Sequence, residues 1–220
     1  MMSRSIILMS GGLDSLAALA ISKNEYGIDF AITFDYGQKS VEEEIQASKK
    51  ICDFYDIEHK VIKLDWLKDI TQTALVSDRE VPTVDLNTEE SAKSVWVPNR
   101  NSLFLNIAAC YADSYGYDYI IFGANKDESQ NFPDNTEQFR ELITKTFEYS
   151  TMVKVKVKAP LINYTKNDIV KIALEQSAPL EFVKSCYKSG SKHCGKCESC
   201  KHLMNALKAN NAERYINILF

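Results

Sequence analysis

Four cysteines near the C-terminus, Cys186, Cys194, Cys197 and Cys200, read Cys-x7-Cys-x2-Cys-x2-Cys. Two-residue gaps let adjacent thiolates turn onto one ion, and the longer gap brings in the fourth ligand. Four thiolates with no open position make a closed tetrahedral Zn²⁺ site, a structural brace with a formal charge of about −2. Lys188, Lys192, Lys196 and Lys201 surround it and offset that charge. Disulfide pairing is disfavoured in a cytoplasmic chain. An iron–sulfur cluster also uses Cys-x2-Cys-x2-Cys, but its usual trailing Cys-Pro is absent, so zinc leads. His193 and His202 flank the cluster and are read as bystanders, while Cys52 and Cys110 are expected to be small core residues.

The second constellation is Ser10-Gly11-Gly12-Leu13-Asp14-Ser15, between an apolar run and a helical stretch. Glycines let backbone approach a phosphate, successive N–H groups point outward, and a helix N-terminus adds partial positive charge. Ser10 and Ser15 add hydroxyl donors, and the Asp14 carboxylate suits a divalent cation bridging phosphates, or a helix cap. The turn lacks the Gly-Lys-Ser/Thr ending of a Walker loop and is not Gly-x-Gly-x-x-Gly. It resembles the pyrophosphate-binding loop of the N-type ATP pyrophosphatases, which cleave ATP to AMP and pyrophosphate.

The elements that position these groups follow from periodicity. Ser5 to Met9, Ile28 to Phe34 and His59 to Leu64 read as strands, and Leu13 to Ser22 and Val41 to Tyr55 as helices. That rhythm predicts βαβ units on a parallel sheet. Thr71 to Val97 is polar and aperiodic and reads as a long surface excursion. Ser102 to Tyr115 returns to helix, Tyr117 to Phe122 to buried strand, and Glu137 to Tyr149 to helix. Val153 to Lys158 alternates valine and lysine, the pattern of a strand with one wet face. Thr165 is the expected N-cap of a helix to Glu175, with Asp168 as its capping-box partner. A last helix is expected near Lys201 to Ala209. The expected fold class is α/β, with an ATP-binding parallel-sheet domain over residues 1–180 and a metal-braced C-terminal extension over residues 181–220.

Several weaker groups follow strand ends, where parallel α/β folds place their ligands. They are Asp35-Tyr36-Gly37-Gln38, Val97-Pro98-Asn99-Arg100-Asn101, Gly123-Ala124-Asn125 and Phe132-Pro133-Asp134-Asn135. Each alone fits a turn or a cap; together they fit a pocket. Apolar residues form 45% and charged residues 25% of the 220, which excludes global disorder and a coiled coil. The longest apolar run, Leu16 to Ile21, is far too short for a membrane span, and Ile6 to Met9 is too short for a secretory h-region, so no leader is expected. A cytoplasmic location is expected. The net charge of −4 gives no reason to expect a polyanion partner.

Taken together, these motifs resemble the 7-cyano-7-deazaguanine synthase (QueC) family. The resemblance is carried by the Ser10 loop, Phe34-Asp-Tyr-Gly-Gln38, Val97-Pro-Asn-Arg-Asn101, Ala159-Pro-Leu161 with Lys166, and Ser185-Cys-Tyr187 before the clustered cysteines. Ser40 and Phe132-Pro-Asp-Asn-Thr136 depart from most members, and the Phe132-Pro-Asp-Asn135 and Pro98-Asn-Arg-Asn101 forms look like an archaeal branch. The resemblance implies an adenine nucleotide alpha hydrolase-like fold that turns 7-carboxy-7-deazaguanine, ammonia and ATP into the nitrile, a precursor of queuosine and archaeosine in tRNA. It implies ATP contacts along Leu8, Met9, Ser10, Gly11, Gly12, Leu13, Asp14, Ser15, Leu16, Ala17 and Ala18, with Mg²⁺ at the phosphates. Asp14 and Lys166 would be catalytic. Asp35, Gln38, Arg100, Asn101, Asn125 and Asp134 would hold the deazapurine. A homodimer without direct nucleic-acid or membrane contact is expected. Three rival readings stay open: a tRNA-modifying sulfurtransferase, a QueC-like ligase joining the acid to a protein amine, and a zinc-ribbon nucleic-acid binder.

Overall fold

Neighbouring apolar residues of one strand serve opposite faces of a sheet, and this alternation builds two cores. The computed structural model describes residues 3–83 and 89–220. The first half of the chain runs β1 (Ser5–Leu8), α1 (Leu13–Tyr26), β2 (Ile28–Asp35), α2 (Val41–Tyr55), β3 (Glu58–Lys63), α3 (Glu89–Val95) and α4 (Arg100–Tyr115). The second half runs β4 (Tyr119–Ile121), α5 (Lys126–Ser129), α6 (Glu137–Ser150), β5 (Lys156–Lys158), α7 (Lys166–Glu175), α8 (Glu198–Ala209) and α9 (Arg214–Leu219). The sheet order is β3-β2-β1-β4-β5, with every neighbouring pair parallel. Ile7 and Ile121 face a core filled by α1, α2, α7, α8 and α9. Ile6 and Ile120 face a second core, filled by α4 and α6. Helices on both faces of a parallel sheet make the expected α/β class. The chain winds outward from β1 to β3 and then crosses back to β4 beside β1, so the topological switch lies where β1 ends.

Four expectations need correction. The Thr71 to Val97 segment is not a surface excursion: it contains α3, and Leu75, Val95 and Val97 are buried in the second core. Ala74 and Val81 pack on the cysteine cluster. Its apolar residues are too sparse for periodicity but reach both sites; residues 84–88 of the segment lie outside the described residues. The Val153 to Lys158 strand is only three residues long. Met152 and Val153 give their N–H groups to Asp113 Oδ1 at 2.7 and 3.0 Å, which ties the start of that stretch to α4 and not to the sheet. The last helix begins at Glu198, and α9 follows it. Cys52 is buried as expected, but Cys110 is exposed. The buried stripe of α4 is Leu105, Ala108, Ala109 and Ala112, and position 110 falls on its far side.

Candidate active site

The ends of β1, β2 and β4 open into a cavity of about 800 Å³. One wall is the Ser10 to Ser15 turn. Gly11 has φ +74°, and a Cβ there would come within 2.7 Å of the Glu44 carbonyl oxygen, so α2 presses directly on the loop. Ser15 Oγ accepts from Ser10 N–H (3.3 Å) and lies 3.1 Å from the Gly12 carbonyl, while Ser10 Oγ accepts from Gly12 N–H (3.3 Å). The N-cap residue Gly12 has no side chain to cap α1, so the first turn of the helix faces the cavity with amides that suit an anion. Leu8, Met9, Ser10, Gly12, Leu13, Asp14 and Ser15 line the cavity, and Gly11 does not. Leu16, Ala17 and Ala18 are fully buried in the first core and do not reach the cavity.

Lys166, the first residue of α7, crosses the cavity floor. Thr165 and Asp168 form the anticipated capping box, which fixes where α7 begins. The Lys166 N–H donates to Asp127 Oδ2 at 2.8 Å. Its Nζ contacts Asp14 Oδ2 and donates to Glu128 Oε1 at 3.0 Å. Burial opposes the lysine charge, but the two carboxylates outweigh it and hold Lys166 protonated, its pKa well above the usual range. Asp14 is pushed up to about 6, chiefly by burial, with Lys166 pulling it down and Glu128 pushing it up. Burial also pushes Glu128 upward, yet Lys166 and Asn125 bring it below the ordinary carboxylate value. Asp14 Oδ1 is buried with no hydrogen-bond partner among the described residues. Gly123 holds the β4 end against this group: a Cβ there would meet the Asp14 backbone at 2.9 Å.

The opposite wall is aromatic and carries one guanidinium. Phe34 and Phe104 stack at 4.0 Å, and Trp96 and Phe132 lie near-parallel at 5.6 Å. Arg100 Nη1 donates to the Tyr36 hydroxyl at 3.0 Å. Asp134 accepts from the Asn101 N–H and from Asn135 Nδ2 (3.1 Å); burial raises its pKa and Arg100 opposes this. Arg100, Asn101, Asp134 and Gln38 all line the cavity. The Gln38 amide, however, is fully used: Oε1 accepts from Tyr36 N–H, and Nε2 donates to the Phe34 carbonyl and to Glu44. Gln38 therefore shapes the loop. Asp35 and Asn125 do not line the cavity. Asp35 Oδ1 accepts from Gly37 N–H (3.2 Å), and Asn125 Oδ1 caps α5 through Glu128 N–H (3.0 Å).

The four cysteine sulfurs lie within 4.8 Å of one another, with Cys194 and Cys200 at 3.8 Å. Zn–S bonds of about 2.3 Å in a tetrahedron require sulfurs about 3.8 Å apart, so a single ion fits. Backbone N–H groups of Lys188 and Cys194 donate to Cys186 Sγ, and those of Lys196 and Cys197 to Cys194 Sγ, all at 3.4 Å. Such donors favour thiolates, the form that binds metal. His193 and His202 are not among the clustered ligands.

A family model described as "Queuosine biosynthesis protein QueC" matches residues 4–211. The chain belongs to the QueC family. A 7-cyano-7-deazaguanine synthase from Methanosarcina mazei is 50% identical over 216 residues, covering 93% of this chain and 94% of that protein. One from Carboxydothermus hydrogenoformans is 44% identical over 215 residues, covering 95% and 100%. The fold is also that of an NMN synthetase from Francisella tularensis, with a TM-score of 0.52 at 15% identity, covering 99% of this chain and 83% of that one. On this QueC-family chain the sequence reading missed Asp127 and Glu128, which hold Lys166, and the facing rings of Trp96 and Phe132. The signal for the first pair was present: an Asp-Glu pair follows Asn125 at the end of β4, where a ligand site was already expected.

Proposed function

We propose that this chain is a 7-cyano-7-deazaguanine synthase that uses ATP and ammonia to convert a deazapurine carboxylate into a nitrile, for queuosine or archaeosine. The supporting observation is that one cavity joins a Gly-rich helix start to an aromatic wall bearing Arg100 and Asp134, with Lys166 bound to Asp14 in the same lining. In this reading residues 1–180 carry most of the chemistry, and residues 181–220 brace it and close one side of the cavity with Lys184, Ser185 and Tyr187.

A carboxylate is a poor electrophile and needs activation. Its oxygen attacks the α-phosphorus of ATP, pyrophosphate leaves, and an acyl-adenylate forms. The ammonia nitrogen then adds to the acyl carbon, a proton is lost, and AMP departs, leaving the amide. The amide oxygen then attacks the α-phosphorus of a second ATP and a second pyrophosphate leaves; loss of the two N–H protons and of AMP gives the nitrile. The amides and hydroxyls of Ser10 to Ser15 hold the phosphates. Lys166, held protonated, faces the charge that develops on phosphoryl oxygen. Phe34, Trp96, Phe104 and Phe132 offer flat apolar surfaces to a heterocycle, and Asp134 an acceptor to its N–H edge. Arg100 offers a cation to the carboxylate. Asp14, whose Oδ1 has no partner, is the group that fits Mg²⁺. Such an ion, when bound, polarises phosphoryl oxygen as a Lewis acid. Cys186, Cys194, Cys197 and Cys200 would hold structural zinc.

The test is to incubate the pure protein with ATP, Mg²⁺, ammonium and the 7-carboxy acid, and to follow products by mass spectrometry. Nitrile together with AMP is the expected result. AMP without nitrile would favour ligation to a protein amine, and no AMP would refute the assignment.

A further inference from the structure

One cavity-lining hydroxyl belongs to neither the phosphate loop nor the deazapurine wall. Ser185 directly precedes the metal ligand Cys186, and its Oγ accepts the Leu13 N–H at 3.3 Å, from 172 positions away in sequence. A hydroxyl that accepts one hydrogen bond retains a proton to donate. Among the described residues nothing accepts it, and the group stands at the N-terminus of α1, where a phosphate oxygen would.

The backbone around Ser185 is anchored on both sides. The Lys184 N–H donates to the Gly11 carbonyl at 2.8 Å, clamping this strand of the extension to the phosphate loop. The Ser185 N–H donates to His193 Nε2 at 2.9 Å. Nε2 is therefore the acceptor nitrogen, and Nδ1 carries the proton, given to the Leu219 carbonyl at 3.0 Å. The His193 N–H reaches the same carbonyl at 2.8 Å, and its ring lies 4.9 Å from Phe220. A buried imidazole with both nitrogens engaged connects the end of α9 to Ser185, and Ser185 to the phosphate loop.

We propose that Ser185 is a phosphate ligand of the nucleotide site and that His193 is the positioning residue that holds it, so that the cysteine knuckle aligns the loop as well as bracing the fold. This deepens the nucleotide reading and rests on it. The chemical class of ligand is a nucleoside triphosphate, gripped through its phosphates from two ends of the chain.

The test compares Ser185→Ala, Ser185→Thr, His193→Gln and His193→Phe in the full chain with zinc bound. Kinetics give KM for Mg·ATP and for the 7-carboxy acid; a chromogenic chelator gives zinc per chain. Ser185→Ala should raise the Mg·ATP KM about tenfold, as expected for losing a hydrogen bond to a charged group, with the acid KM and zinc unchanged. Ser185→Thr keeps the hydroxyl and should restore most of the loss. His193→Gln offers an acceptor and a donor and should stay near wild type, whereas His193→Phe offers neither and should raise the Mg·ATP KM with zinc retained. A Ser185→Ala KM within twofold of wild type would overturn the ligand role. Zinc loss in His193→Phe would make His193 merely structural and overturn the positioning role. Calorimetry with wild type separates the premises: no heat with Mg·ATP there means that the nucleotide reading itself has failed.

Discussion

The two walls of the cavity are made in different ways. The wall proposed for phosphate is six consecutive residues whose backbone would supply the donors, stiffened by bonds among Ser10, Gly12 and Ser15. The wall proposed for the deazapurine is side chains brought from β2, the turn after it, α4, and the segments before α4 and after α5. Backbone donors in a short turn are pre-organised wherever the turn forms. A wall of Phe34, Trp96, Arg100, Phe104, Phe132 and Asp134 exists only when the second core is packed. The first wall therefore suits what every ATP shares, and the second what distinguishes one substrate from another.

The contrast can be broken at its strongest point by Asp14→Ala. Loss of one of the two carboxylate partners of Lys166 and of the unpaired Oδ1 should cut AMP release by about a hundredfold or more, with the melting curve retained. Turnover near the wild-type rate would remove Asp14 from the chemistry. Cys197→Ser should next lower zinc content, solubility and melting temperature together; a stable, zinc-free variant would deny the structural role. On the deazapurine wall, Arg100→Met should raise KM for the acid about tenfold to a hundredfold while leaving that for Mg·ATP in place, the mirror image of Ser185→Ala. A shared loss at both substrates would mean that the walls are not separable.

Acidity sharpens the same comparison. Asp14 faces Lys166, Glu128 and Asp127, and burial raises it to about 6. Below that pH the carboxylate of the free enzyme is protonated, so kcat/KM for Mg·ATP should drop about tenfold per pH unit. The linkage sign is opposite for folding: a raised acid pKa stabilises the folded chain most below the ordinary value of 3.8, and this is lost as pH rises through about 6. Wild type should therefore gain stability relative to Asp14→Asn on acidification from pH 7 towards 4, read by denaturant melts. The smallest effect is expected from Thr165→Ala, which opens the capping box under Lys166 at a cost of about 1 kcal/mol in the same melts.

Much of the fold was legible because it rests on local rules. Val41 to Tyr55 is a helix with the expected limits, and Thr165 with Asp168 caps α7 as the spacing implied. Segments whose partners are distant were harder to read. The Thr71 to Val97 stretch has few apolar residues, and their burial becomes visible only when Ala74 and Val81 meet the cysteines. Gln38 and Asn125 look like ligands as residue types, yet the Gln38 amide and the Asn125 Oδ1 hold backbone groups of their own loops.

By itself the sequence determined the Ser10 to Ser15 turn, the clustering of the four cysteines and the alternation that makes a parallel sheet. Each of these depends on neighbours within a few positions, where backbone geometry and side-chain period leave few alternatives. Only the tertiary structure decided that Lys166 meets Asp14 across 152 positions and that Ser185 meets Leu13 across 172. Such meetings follow from which helices pack on which face of the sheet, a choice settled by the whole core and written in no single segment.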